Sequence, residues 1–250
     1  MPQLSDLIGS FVDDKICYDT GYQAPSQPAT HTTQPIVTGS SVLGLKYKGG
    51  VILAADTLGS YGSLARFRDI RRITTVGKNI LVGASGDYSD FQKIQELLEE
   101  VVAEDYCLDD GRTHTAKEIH SYLGRVLYGR RNKMDPLWNT LVIAGVENGN
   151  SFLGQVDLLG TQFEDDTLAT GFGSHIARPL LRNAYNENLT EEEARKIVLD
   201  CMRVLFYRDA RTINKIQIAV INEQGASISD PFSFETDWSI GLKAGENTPN

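Results

Sequence analysis

The sequence predicts an α+β chain folded as a four-layer αββα sandwich, two stacked sheets with helices on the outer faces. Three observations carry this. Strand-like apolar runs come in pairs joined by glycine-containing turns. Helical patterns also come in pairs, set between the strand pairs, which differs from the βαβ alternation of a parallel sheet. The apolar runs 141–144 and 216–221 are nearly continuous, as in strands covered on both faces. The chain has 250 residues, of which 41% are hydrophobic and 23% charged, enough for the core of one ordinary α/β domain.

Taken in order, residues 41–47 and 51–56 are strand-like and flank Lys48, Gly49 and Gly50, which predicts a hairpin with a tight primed turn. Residues 70–76 and 79–85 read as further strands. Phe91, Ile94, Leu98, Val101 and Val102 recur at helical spacing within 87–106. Thr115 with Glu118 forms a capping-box pattern ahead of Ile119, Tyr122, Leu123, Val126 and Leu127. A second hairpin spans 138–146 and 151–159 around Asn148-Gly149. A helix is expected within 174–185, kinked by Pro179 unless that residue falls in the first turn. Thr190 with Glu193 repeats the capping box ahead of Ala194, Ile197, Val198, Cys201 and Leu205. A third hairpin runs from 215–222 through Gly225 to Ile228.

Residues 1 to about 38 differ from this body. Four of the eight prolines lie there, and 21–35 has no strand or helix period, so the reading is a flexible or removable leader. The start lacks the basic and apolar regions of a secretory signal. No apolar run approaches the ~20 residues of a membrane span. A net charge of −9 argues against binding nucleic acid or an anionic membrane. Cys17, Cys107 and Cys201 are odd in number and far apart, which argues against a disulfide framework and for a reducing compartment. Neither they nor the four histidines have metal-ligand spacing, and no cofactor is implied.

Several local patterns lead nowhere. Gly83-Ala84-Ser85-Gly86 lacks the spacing of a serine elbow. Gly77-Lys78 has no glycine loop before it. Asn188-Leu189-Thr190 reads as a helix-capping segment, and Glu191, Glu192 and Glu193 as acids at a helix N-terminus. Arg130, Arg131 and Lys133 read as a dipole complement or a subunit contact.

Residues 36–240 as a whole are similar to the proteasome beta subunits, which have the N-terminal-nucleophile hydrolase fold. The resemblance is carried by Thr38-Gly39-Ser40-Ser41-Val42-Leu43-Gly44 at a leader junction and by Gly49-Gly50-Val51-Ile52-Leu53-Ala54-Ala55-Asp56-Thr57. Gly83-Ala84-Ser85-Gly86-Asp87 and Tyr207-Arg208-Asp209-Ala210 add to it. Strings at 58–67, 133–139 and 168–173 resemble the family's non-catalytic type at the beta-seven position.

In active members the nucleophile is the hydroxyl of an N-terminal threonine, and its own freed α-amine, with a pKa of about 8, takes the proton directly or through a water. Carried over, the resemblance puts Ser40 at the nucleophile position, Asp56 at the family's aspartate and Gly86 at the oxyanion glycine. Arg72 stands where active members have lysine, Ser174 and Asp209 match auxiliary positions, and Thr212 replaces a serine. A planar, always charged guanidinium is no substitute for an ammonium that tunes the amine. With Asp56 it can form a supporting ion pair. The expectation is therefore a non-catalytic subunit, not an enzyme, in which these positions are vestigial.

The resemblance also implies trimming near His31, Thr32 and Thr33. A start at Thr32 or Thr33 leaves seven or eight residues ahead of Ser40 (40 − 33 or 40 − 32). The expected organisation is a leader at 1–31, a body at 32–235 and a C-terminal tail at 236–250. Expected partners are the other alpha and beta subunits, in two seven-membered beta rings between two alpha rings, together with assembly factors. The tail is expected to reach beta subunits of the opposite ring. The expected location is cytoplasm and nucleus. The alternatives are an active N-terminal-serine peptidase using Ser40, or an independent metabolite amidase of the same superfamily.

Overall fold

A computed structural model describes residues 34–239. The chain passes from β1 (Val37–Gly39) to β2 (Val42–Tyr47), β3 (Gly50–Asp56), β4 (Gly59–Tyr61), β5 (Leu64–Phe67), β6 (Ile73–Val76) and β7 (Ile80–Asp87). Helices α1 (Tyr88–Leu108) and α2 (Ala116–Asn132) follow. Then come β8 (Asn139–Glu147), β9 (Asn150–Val156), β10 (Gln162–Glu164) and β11 (Thr167–Ala169). Helices α3 (Gly173–Ala184) and α4 (Glu191–Arg208) precede β12 (Ile216–Asn222) and β13 (Gly225–Ile228).

One sheet has the order β10-β9-β8-β7-β1-β4-β5, with β6 also on β7; the other has the order β11-β2-β3-β12-β13. Three apolar layers hold the sandwich together. Leu43, Leu45, Ile52 and Ile218 pack against Ala177, Leu181, Val198 and Leu205 of α3 and α4. Val82, Leu141 and Ile143 pack against Phe91, Ile94, Leu98, Ile119, Leu123 and Leu127 of α1 and α2. Val42, Leu53, Leu81, Val142, Leu153 and Ile221 fill the space between the sheets. The predicted αββα sandwich is the observed one, and every central strand is covered on both faces, as its continuous apolar sequence requires.

Local chemistry sets the element ends. Both capping boxes form: Thr115 with Glu118 opens α2, and Thr190 with Glu193 opens α4. The Asp87 carboxylate caps α1 through the Ser89 and Asp90 N–H groups. Asn148 and Gly149 both have positive φ, the primed turn predicted for that hairpin. Lys48-Gly49 differs: only Gly49 has positive φ, so this turn is not of the primed kind, although the hairpin forms with Tyr47 opposite Gly50. Pro179 lies inside α3, beyond its first turn, and the helix is continuous through it. Pro179 is exposed, and so is His175, the residue whose carbonyl loses its N–H partner.

Five short strands (β1, β4, β5, β10 and β11) were not visible as periodic patterns. At the other end, the expected body–tail boundary at 235/236 falls within a segment that stays on the body. Phe232 pairs with Ile216, the Asn214 side chain brackets the Phe234 backbone, and Trp238 packs edge-on against Phe206 and Tyr207. The leader boundary at 31/32 lies outside the described residues. Among the described residues no helix is long and apolar enough to cross a membrane.

Candidate functional site

Ser40 follows the last residue of β1 and sits where the two sheets open towards the end of α4. Its Oγ donates a hydrogen bond to Asp209 Oδ2. Asp209 stands at the C-cap of α4, and its carboxylate also accepts from Thr212 Oγ1 at 2.9 Å and from the Arg211 N–H at 2.9 Å. Three predicted positions, Ser40, Asp209 and Thr212, therefore meet around one carboxylate. The nitrogen of Ser40 is tied up in the Gly39–Ser40 peptide bond of the intact chain, where resonance removes its basicity.

Arg72 and Asp56 lie beneath this junction, with side chains 2% and 1% exposed, joined through Nη2 and Oδ1. A guanidinium has five N–H donors, and Arg72 uses all of them. Nε donates to the Asp56 carbonyl at 3.1 Å. Nη1 donates to the carbonyls of Ser40 and Ala84, each at 3.1 Å. Nη2 donates to the Ser41 carbonyl at 3.0 Å and to the Asp56 carboxylate. The cation thus grips the backbone on either side of the Ser40–Ser41 peptide, and none of its hydrogen bonds reaches the Ser40 hydroxyl. Asp56 Oδ2 accepts the Ile213 N–H at 3.3 Å. Burial pushes the Asp56 carboxyl above its ordinary range, and the guanidinium and backbone N–H groups pull it back.

Gly39 has no room for a side chain, because the Arg72 side chain crosses the place where a Cβ would stand. Gly86 has φ +96°, and a Cβ there would overlap the Trp138 carbonyl oxygen. In register, Gly39 lies opposite Gly86 and Thr38 opposite Asp87 on one side, while Val37 lies opposite Tyr61 and Thr38 opposite Ser60 on the other. The residues just before Ser40 are therefore a strand wedged between β4 and β7, alongside the predicted oxyanion glycine. The Ile36 N–H is fixed to Asp87 Oδ2 at 2.7 Å.

Ser174 is not joined to this network. Its hydroxyl donates to the Gly171 carbonyl at 2.7 Å. The 171–173 loop does approach the junction, since a Cβ on Gly171 would lie 3.7 Å from the Ser40 carbonyl carbon. His31, Thr32 and Thr33 lie outside the described residues.

Three residues that sequence reasoning left without a role complete the site. Ser41 Oγ accepts the Gly173 N–H at 2.8 Å, a cap for α3 supplied from the other side of the site. Thr170 Oγ1 accepts the Val42 N–H at 2.9 Å. Asp87 serves both α1 and the segment that enters β1. Asp87 alone carried a signal, as an aspartate just before a helical period. Among the described residues no group of three or more His, Cys, Asp or Glu is placed to hold a metal ion.

Two sheets flanked by helix pairs make an N-terminal-nucleophile-hydrolase-like fold. The family model described as proteasome subunit matches residues 36–221. Relatives include the proteasome subunit beta type-4 of Xenopus laevis, 53% identical over 85% of this chain and 89% of that protein. The beta type-4 subunit of Arabidopsis thaliana is 51% identical over 86% and 87%. The beta type-7 subunit of Saccharomyces cerevisiae is 47% identical over 80% and 79%. The chain belongs to the proteasome beta-subunit family.

Proposed function

We propose that this chain is a non-catalytic, structural subunit of the proteasome core particle, completing a beta ring in the machine that degrades proteins. One observation carries the reading: the residues before Ser40 form β1, built into the sheet between β4 and β7. A catalytic amine at Ser40 requires cutting the strand that fills this slot. The spent donors of Arg72 add support, because all five are engaged and this guanidinium has none left for an amine or hydroxyl at Ser40. The relatives at 53% and 51% identity are beta type-4 subunits, in keeping with the subtype that the sequence resembles.

The test is intact mass and terminal sequencing of the chain from native particles. A start at Thr32 or Thr33 is expected. A start at Ser40 would overturn the reading in favour of the alternative, an N-terminal-serine peptidase. The Ser40–Asp209 hydrogen bond is the observation that favours that alternative.

In the proposed assembly the chain contacts alpha and beta neighbours in the cytoplasm and nucleus, and residues beyond the Trp238 anchor extend to the facing beta ring. Deleting the residues after Gly241 is then expected to slow the joining of half-particles on native gels. An unchanged joining rate would remove the tail from that role.

A further inference from the structure

We propose that the β4–β5 hairpin, held in its sheet by β1, is a docking surface for an acidic, apolar surface on a neighbouring subunit. This rests on the structural reading above and assigns a task to the segment kept ahead of Ser40.

The hairpin projects from the end of its sheet. Thr57 and Ile70 hold its base, but among the described residues β4 pairs only with β1 and β5, and β5 is the sheet edge. Val37, Tyr61 and Leu64 lie in register across the three strands and share one face. The register slips between Gly59 and Ser60, leaving Arg66 as the extra residue of a β-bulge. The bulge puts Phe67, opposite Gly59, on the same face as Leu64. A Cβ on Gly59 would lie 3.1 Å from Ile70, 3.2 Å from Val37 and 3.4 Å from Phe67, so those side chains converge there. Tyr61, Leu64 and Phe67 are nevertheless 54%, 56% and 42% exposed. An apolar face on an edge hairpin is an aggregation hazard unless something covers it.

Charge identifies what covers it. Arg66, Arg68 and Arg71 are exposed and form no ion pair among the described residues, in a chain of net charge −9. Asp69, the one acid among them, is taken by Lys215 at 2.9 Å. A two-fold contact with a second copy would set these arginines against themselves, so the contact is heterologous. The occupant therefore pairs apolar side chains with unpaired carboxylates. This fold can present such a surface: at the end of α1, the exposed acids Glu104, Asp109 and Asp110 flank Tyr106 and Leu108 in sequence, which are 85% and 70% exposed. Removing residues 37–39 would take away the hairpin's only other sheet neighbour and dissolve the surface.

The experiment uses intact particles carrying Leu64→Cys in a Cys17→Ser, Cys107→Ser background. Burial pushes the remaining thiol, Cys201, up to about 12, which keeps it unreactive. Maleimide is expected to label Leu64→Cys at least ~10-fold more slowly in the particle than in the separated chain. A short bifunctional reagent is expected to join it to an acidic peptide of a different subunit. Equal labelling rates, or a cross-link to a second copy of this chain, would overturn the proposal. Arg66→Glu with Arg68→Glu is expected to lower incorporation several-fold, with Arg66→Lys/Arg68→Lys near normal; normal incorporation of the glutamate variant would also overturn it. Tagged unmutated chain serves as the reference: its absence from high-mass particles would sink the functional reading itself, whereas its presence with an openly reactive Leu64→Cys sinks only the docking surface.

Discussion

Replacing Arg72 with methionine is expected to destabilise the chain by about 3–5 kcal/mol, read from the midpoint of chemical unfolding. The substitution leaves the Asp56 carboxylate buried without its cation. It also strips a donor from the carbonyls of the buried residues Ser41, Asp56 and Ala84 and from that of the half-buried Ser40. Arg72→Lys retains the charge but brings three donors to five acceptor positions, so an intermediate loss of about 1–3 kcal/mol is expected. Asp56→Asn combined with Arg72→Met is expected to cost less than the two single changes added together, since the second removes a charge that the first has orphaned. Strict additivity would show that the pair is not coupled, and a wild-type midpoint for Arg72→Met would show that the guanidinium carries no stability.

Gly86→Ala is expected to cost on the order of 4 kcal/mol, and a second glycine in the same chain supplies the control. Gly86 and Gly49 have nearly the same backbone angle, φ +96° and +92°. A Cβ on Gly49 would meet nothing within 4 Å, whereas one on Gly86 would overlap the Trp138 carbonyl oxygen. Gly49→Ala therefore incurs only the strain of a left-handed backbone, about 1–2 kcal/mol. Gly86→Ala adds a collision with backbone that cannot turn aside, because Gly86 lies between Gly39 and Asn139 and the Asp87 N–H is bonded to that same Trp138 carbonyl at 2.8 Å. Equal losses for the two substitutions would show that β7 and β8 can part at this point without penalty.

Where the controlling chemistry is local, the sequence was legible. Thr115 with Glu118 and Thr190 with Glu193 announce their helices because both halves of each cap lie within one turn. Asn148-Gly149 announces its hairpin because two left-handed residues in a row allow little else. The short strands were hidden for the opposite reason. Residues 37–39 and 59–61 are too few to display a period, and they are extended because neighbouring strands hold them so. The site divides in the same way. Ser40 and Asp209 are 169 residues apart, and only the likeness to a family placed them together beforehand. No local pattern could show that Arg72 would bind four carbonyls, or that Ser41 would cap α3, because both depend on how distant backbone segments pass one another.

The wedged strand also has a consequence in time. Antiparallel hairpins such as β2–β3 and β8–β9 close over short loops, whereas β1 must meet β7 and β4 together, each well separated from it along the chain. Closures across long loops come late in folding. Until β1 is seated, β4–β5 is a two-stranded ribbon, which is marginal by itself in water. Its apolar side chains and the end of β7 at Gly86 and Asp87 are then open to the wrong partners in a crowded cell. The last residues before Ser40 thus act as a latch that closes late, and premature proteolysis there would harm newly made chains more than finished particles.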